Sequence, residues 1–265
     1  MDSCFSDSVN MANIFNEFFS SGFIRDNGVL PSSVFTVPAG CNISSTNFCA
    51  LNVQRMRRLK PTTSSGPESI PNVVYIKLAS VLNPPLASIF EIFFRLCALS
   101  NIWRLGHITP IFKKGGKRFV NNYRPVSVTC VACRIMERVI LQSLHNYLHN
   151  NLLSIFQHGF LSKRSTASSL LFSSSDWISS LDNKLCTDVI FVDFAKAFDA
   201  VSHEKLLYKL SNFEVKGCIF DWIRAFLSNR KQCAKISGVF FRSCPCSQQC
   251  SAGLRFRTFL VCAFY

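Results

Sequence analysis

Acidic side chains are scarce in this sequence: 15 Asp and Glu stand against 29 Lys and Arg, a formal charge of +14 over 265 residues. Such an excess speaks about partners rather than fold, and polyanions are the first candidates. Nucleic acid, an anionic membrane surface and a plain solvated basic surface all remain open on charge alone. Long apolar runs are also missing. Lys77, Pro84, Pro85, Glu91 and Arg95 interrupt the greasiest stretch, so no segment reaches the roughly 18 residues a membrane helix needs, and a soluble protein with no membrane partner is expected. No secretory signal opens the chain, and no internal repeat that would build a solenoid occurs. What the sequence does have is apolar material: 48% hydrophobic residues, with 26 Phe. That excludes disorder over most of the length and predicts a packed core.

Cysteine is plentiful, but not in the manner of a disulfide scaffold. The 13 residues are odd in number and irregular in spacing, which reads as reduced, intracellular thiols. Cys130 and Cys133 are spaced like half of a zinc knuckle, yet no second pair lies at ribbon spacing. Small buried residues at a helix start are the competing reading.

The chain divides by composition. Residues 1–58 read as a linker with one helix near Met11 to Phe19, ending in the basic cluster Arg55, Arg57, Arg58 and Lys60. TTSSGPESIP, residues 62–71, is rich in turn formers and opens a helical stretch through Val81, which Pro84 and Pro85 punctuate. A second helix is expected over Leu86 to Ala98. HITPIF, residues 107–112, reads as a strand entering the basic turn KKGGKR, and NYRPVSV leads into a helix with Ile135, Met136, Val139, Ile140, Leu144, Tyr147 and Leu148 on one face. Ser165 or Thr166 caps the next helix, whose stripe is Ala167, Leu170, Leu171, Ser174, Ile178 and Leu181. Val189 to Val192 has strand length and the continuous apolar character of a strand buried on both faces. Helices over Ser202 to Leu210 and around Ile219 to Phe226 follow, then a hairpin from Arg230 to Phe241 turning at Ser237 and Gly238.

That apolar run ends at Asp193, inside FVDFAKAFDAVSHEKLL, residues 191–207. A carboxylate at a strand end in a basic protein suits Mg²⁺, which takes oxygen ligands from one or two carboxylates plus substrate phosphates. Two such ions can activate a primer hydroxyl and steady a leaving pyrophosphate. A cap for the following helix is the plainer role for the same side chain.

The string resembles motif A of non-LTR, LINE-type reverse transcriptases, close to DFSKAFDTVNHxxLL. Three further blocks resemble that family in the same order. SSGPESIP, residues 64–71, is similar to KSSGPDGIP. WRLGHITPIFKKGGKRFVNNYRPVSV, residues 103–128, is similar to the fingers stretch WKxAxVxPIFKKGDxxxxxNYRPISL. QHGFLSKRST, residues 157–166, is similar to QFGFRKGRST. The resemblance covers roughly residues 10–240 and implies an α+β (mixed α/β) fold, an incomplete right-hand polymerase with helical fingers over 59–180 and the first part of an antiparallel palm sheet over 181–241. It implies that Asp193 is the catalytic, metal-binding acid, that the backbone carbonyl of Phe194 assists it, and that Phe198 excludes a 2′-hydroxyl and so selects deoxynucleotides. Asp199 and His203 are read as structural. Mg²⁺ is the implied cofactor; an RNA template, a DNA primer or target and deoxynucleotides are the implied partners. Lys113, Lys114, Arg124 and Arg164 are the candidate phosphate contacts, each also compatible with a solvated surface charge. Leu161 stands where the family carries Arg, which removes one phosphate-pairing guanidinium.

After motif A the family continues with a SGVPQGSVLGPLLF block and an acidic A/YxDD box. Residues 242–265 show neither, and four of the 13 cysteines lie in Cys244 to Tyr265. If the codons for Gln248 to Phe264 are read one nucleotide later, they can spell SSVPQGSVFGPFLFVLF, which includes a forced mismatch at Gln249. The expectation is therefore an out-of-frame tail, following a one-nucleotide shift near Phe240 to Cys244, on a chain without polymerase activity. Sequencing the encoding nucleotides checks this: they must spell that block in the next frame, and any other reading there removes the idea.

Overall fold

A computed structural model of the chain describes residues 8–21, 28–29, 40–48, 54–61, 65–151, 154–159, 161, 163–193, 202–236, 239–240 and 244–245. Helix α1 (Ser8–Ser21) is followed by α2 (Asn72–Lys77), α3 (Ala79–Arg95) and α4 (Asn101–Arg104). Strands β1 (Leu105–Phe112) and β2 (Tyr123–Thr129) form a hairpin, and α5 (Val131–Asn151), α6 (Thr166–Asp182), α7 (His203–Asn212) and α8 (Gly217–Leu227) follow. Strand β3 (Lys231–Ile236) and the two-residue strands β4 (Val239–Phe240) and β5 (Cys244–Pro245) complete the order.

The core forms around α5, and the expected stripe is what it buries. Ile135, Met136, Val139, Ile140, Leu144 and Leu148 are all inaccessible to solvent or nearly so. Phe90 and Phe94 of α3, Trp103 of α4, Leu206 and Leu210 of α7, and Trp222 and Phe226 of α8 join the same cluster. Aromatic geometry orders it. Phe48 meets Phe94 edge-on at 5.2 Å between centroids, and Trp222 stacks on Phe226 at 4.9 Å. Such pairs contribute about 0.5–1.5 kcal/mol beyond their burial. Arg230 lies over the Phe226 ring, 4.7 Å from its centroid.

Pro84 and Pro85 do not end a helix as expected; both lie inside α3. They deprive the carbonyls of Ser80 and Val81 of their helical donors. Ser80 and Val81 are both exposed, so water can serve those carbonyls. The break falls earlier instead, at Leu78 between α2 and α3.

The sheet is small and mixed. β1 pairs antiparallel with β2, from Gly106 opposite Thr129 to Phe112 opposite Tyr123, and parallel with β3, from Leu105 beside Lys231 to Ile108 beside Ala234. β4 and β5 both pair antiparallel with β3. NYRPVSV is thus a strand rather than a lead-in, because its backbone supplies the partner that β1 needs. The stretch expected as a linker carries its helix against this sheet: Phe15 and Phe19 of α1 pack with Ile108, and Ala12 packs with Ala234.

Two sequence expectations are corrected. The sheet is mixed where an antiparallel palm sheet was expected, antiparallel between β3 and β4 and parallel between β3 and β1, and Val189 to Val192, expected as a doubly buried strand, do not join it. Residues 189–192 are in no strand and are 45% to 87% exposed. A parallel-type interior strand is apolar because neighbours cover both its faces, and among the described residues this run has none. The stripe of α6 is likewise apolar but uncovered, for none of its residues is buried, although Ser165 caps the helix as expected by accepting from the Ser168 amide.

The SSGPESIP block proves to be a clamp on α5. Glu68 Oε1 accepts from the Val131 amide at 2.6 Å, placing a carboxylate at the helix N-terminus, where the free amides and the helix dipole favour it. Gly66 permits the approach. A Cβ there would lie 2.5 Å from the Thr129 carbonyl oxygen and 2.9 Å from the Cys130 Cα, backbone atoms that cannot turn aside. Gly66→Ala is therefore expected to cost about 3 kcal/mol, the upper end for overpacking. Glu68→Ala should cost about 1 kcal/mol, the loss of a cap. Urea unfolding of the two variants measures both, and equal costs would remove the clamp argument.

His107, buried on β1, has its pKa lowered by burial and then by the Lys235 charge. The fold favours the neutral ring, so this contribution to stability is complete above the unfolded value of about 6.5. It is lost as pH falls toward and through the folded value. His107→Gln should flatten the decline in thermal stability over that window, and an unchanged slope would count against it.

Candidate nucleic-acid interface

The basic turn becomes a rigid hairpin tip. The Lys113 amide donates to the Asn122 carbonyl at 2.8 Å, Asn122 Nδ2 donates to the Gly116 carbonyl at 2.8 Å, and the Tyr123 hydroxyl donates to the Lys117 carbonyl at 3.0 Å. Gly115 sits at φ +90°, with the Asn122 amide where a Cβ would be, a backbone region that suits glycine.

Strand alternation sorts the hairpin's two faces. Opposed residues of an antiparallel pair share a face, so Ile111 with Arg124 and Thr109 with Val126 lie on one side. Ile108, Phe112 and Tyr123 lie on the other, where α1 packs on Ile108 and Tyr123, Phe15 meeting Tyr123 edge-on at 4.9 Å. The face away from α1 is open: Ile111, Arg124 and Val126 are exposed, as are Lys113, Lys114, Lys117 and Arg118 at the tip. Lys117 also lies 5.9 Å from the Phe112 centroid. Lys113, Lys114 and Arg124 are thus brought together, and Lys117 and Arg118 join them without having been singled out from the sequence. Strand register was the missing signal, since it needs β2 to be recognised as a strand.

Arg164 is placed on a separate loop. Its Nη1 donates to the Ile155 carbonyl at 2.7 Å and lies 3.3 Å from His158 Nε2, so it holds the 154–165 turn closed. Leu161, in the position where the family has Arg, is 9% exposed. An apolar side chain fills that place.

Asp193 is exposed and belongs to no strand, a correction to the buried strand end expected for it. Phe194 and Phe198 lie outside the described residues. Cys130 and Cys133 are buried, as the packing reading has it. Burial pushes the Cys130 thiol up to about 11 and the Cys133 thiol up as well, which makes both poor nucleophiles and poor ligands. Seven cysteines among the described residues are free thiols. No group of three or more His, Cys, Asp or Glu side chains that could hold a metal gathers among the described residues. No helix described is long and apolar enough to cross a membrane.

A basic, rigidly closed hairpin beside a helical core is what a phosphate-gripping domain requires, and sequence comparison says which domain it is. The family model for reverse transcriptase (RNA-dependent DNA polymerase) matches residues 111–256. The chain belongs to that family, and the hairpin tip, the 154–165 turn and the Asp193 string all fall inside the match. Among characterised proteins it is 23% identical over 190 residues to the probable RNA-directed DNA polymerase from transposon BS of Drosophila melanogaster, covering 71% of this chain and 21% of that protein. It is 27% identical over 176 residues to the RNA-directed DNA polymerase from mobile element jockey of Drosophila funebris, covering 66% and 19%. These likenesses support a reverse transcriptase domain of the LINE-type, non-LTR kind. The chain spans about a fifth of the length of the relatives it matches.

Proposed function

We propose that this chain is the nucleic-acid-gripping part of a reverse transcriptase domain from a non-LTR retrotransposon, and that the 265-residue polypeptide binds RNA or DNA without extending a primer. The gathering of Lys113, Lys114 and Arg124 on one pinned hairpin carries the reading. Cations held at a fixed spacing on a rigid scaffold suit phosphates along a strand. Arg164, tied into its own turn, contributes less. In this reading the family's chemistry is RNA-directed DNA synthesis from an RNA template, a DNA primer and deoxynucleotides, with Asp193 as the metal-binding acid, the Phe194 carbonyl beside it and Phe198 as the barrier to a 2′-hydroxyl.

Mg²⁺ is the ion that chemistry calls for, and the described residues do not fit it. Asp193 is a solvated carboxylate with no strand to fix it, and two-metal catalysis needs acids held a few ångströms apart.

Two measurements test the proposal. Fluorescence anisotropy with a single-stranded RNA should show affinity falling with log salt at a slope of about −2 to −3, as expected for three or four phosphates. Lys113→Glu with Arg124→Glu should reduce that slope by about 1 to 1.5; an unaltered slope takes the interface off this hairpin. Primer extension on the purified chain should give no incorporation. Incorporation that vanishes in Asp193→Ala would overturn the inactive reading and establish that acid as catalytic.

A further inference from the structure

The uncovered apolar surface is net acidic in a basic molecule. Residues 166–193 carry four aspartates, Asp176, Asp182, Asp188 and Asp193, against the single cation Lys184, in a chain whose net charge is +14. Leu170, Leu171, Ile178 and Leu181 are 58% to 72% exposed, and at 100° per residue they fall on one face of α6. With Val189 to Val192 exposed just beyond, the arm leaves an apolar surface of the kind that monomeric proteins seldom expose beyond a few hundred Å².

Asp182 borders this face and Asp188 and Asp193 bracket Val189 to Val192, all three exposed, whereas Asp176 lies on the opposite side of α6; a net acidic border repels phosphate, so nucleic acid does not suit this arm. A cationic surface with apolar centres does, and among the described residues the open face of the β1–β2 hairpin combines both. Ile111 and Val126 are exposed there, flanked by Arg124 and Lys113. The geometry points to a second copy of this chain as the occupant: the acidic, apolar arm of one molecule docks on the hairpin face of the next. Arm and hairpin are different surfaces, so the contact is head-to-tail and leaves a free arm and a free hairpin at the two ends, a pattern that grows into open chains unless its rotation closes a ring. Charge complementarity disfavours the arm-to-arm alternative, which sets acid against acid. Self-association by itself is independent of the polymerase reading, whereas its competition with nucleic acid rests on the hairpin contacts proposed above. On those contacts self-association and nucleic-acid binding exclude each other, since both use the hairpin.

Sedimentation velocity on the full chain at low ionic strength tests it. The wild-type chain should associate, and about 0.5 M salt should weaken that association by shortening the screening length to a few ångströms. An arm variant, Asp182→Lys with Asp188→Lys, and a hairpin variant, Lys113→Glu with Lys114→Glu, Lys117→Glu and Arg124→Glu, should each associate at least about tenfold more weakly alone, one factor of ten being about 1.4 kcal/mol. Mixed in equal amounts they should associate again, because every arm then meets a hairpin of opposite charge. Leu171→Ser with Leu181→Ser, which alters exposed positions alone, should weaken association without changing the circular dichroism. A single-stranded RNA should disperse the oligomers. The proposal is overturned by a wild-type chain that stays monomeric, by association that survives hairpin reversal, by a mixture that fails to recover, or by oligomers indifferent to an RNA that anisotropy shows the chain to bind; an RNA that does not bind at all counts against the proposed function instead.

Discussion

Burial of one face of α5 is the constraint on which the rest of the molecule depends. Its apolar stripe is covered by α3, α4, α7 and α8 together, so four helices take their positions from one. The N-terminus of that helix is tied down by the Glu68 carboxylate, and a glycine at position 66 lets the clamp close on the backbone. Because β2 ends at Thr129 and α5 begins at Val131, fixing the start of α5 also fixes where the hairpin leaves the core. The block around Gly66 is therefore connected to the basic tip through covalent structure and packing, without touching a ligand itself.

The hairpin separates two jobs by strand alternation. Its inner face is apolar and aromatic and rests on α1, while its outer face and tip carry the cations. Side chains on one strand cannot exchange faces without a shift in register, and here the register is held by the Asn122 and Tyr123 hydrogen bonds across the turn. Rigidity matters for function because a charge that must be ordered on binding loses part of its interaction to side-chain entropy. The cationic face proposed to meet a polyanion is also the face proposed to meet the acidic arm of a neighbour, and any competition between them would depend on salt.

Much of this was legible in the residues. The α5 stripe, the Ser165 cap, the β3–β4 hairpin and the buried Cys130 and Cys133 follow from periodicity and local chemistry, since helix faces and caps depend on neighbours three or four positions away. Four ordered blocks also identified the family, although the fit of Asp193 to a metal did not follow. Less accessible was anything that depends on partners distant in sequence. The strand character of NYRPVSV was hidden because a Pro and an Arg interrupt it, and only pairing with β1 makes it a strand.

The run Ile135 to Leu148 and the run Val189 to Val192 show where the division falls. The sequence by itself determined that both are apolar, that one repeats with helical and the other with strand-like pattern, that an acid follows the second, and that the protein as a whole is basic. Tertiary structure alone decided that the first is covered and the second exposed. Burial belongs to pairs of surfaces, and a segment's own residues specify only its half of the contact.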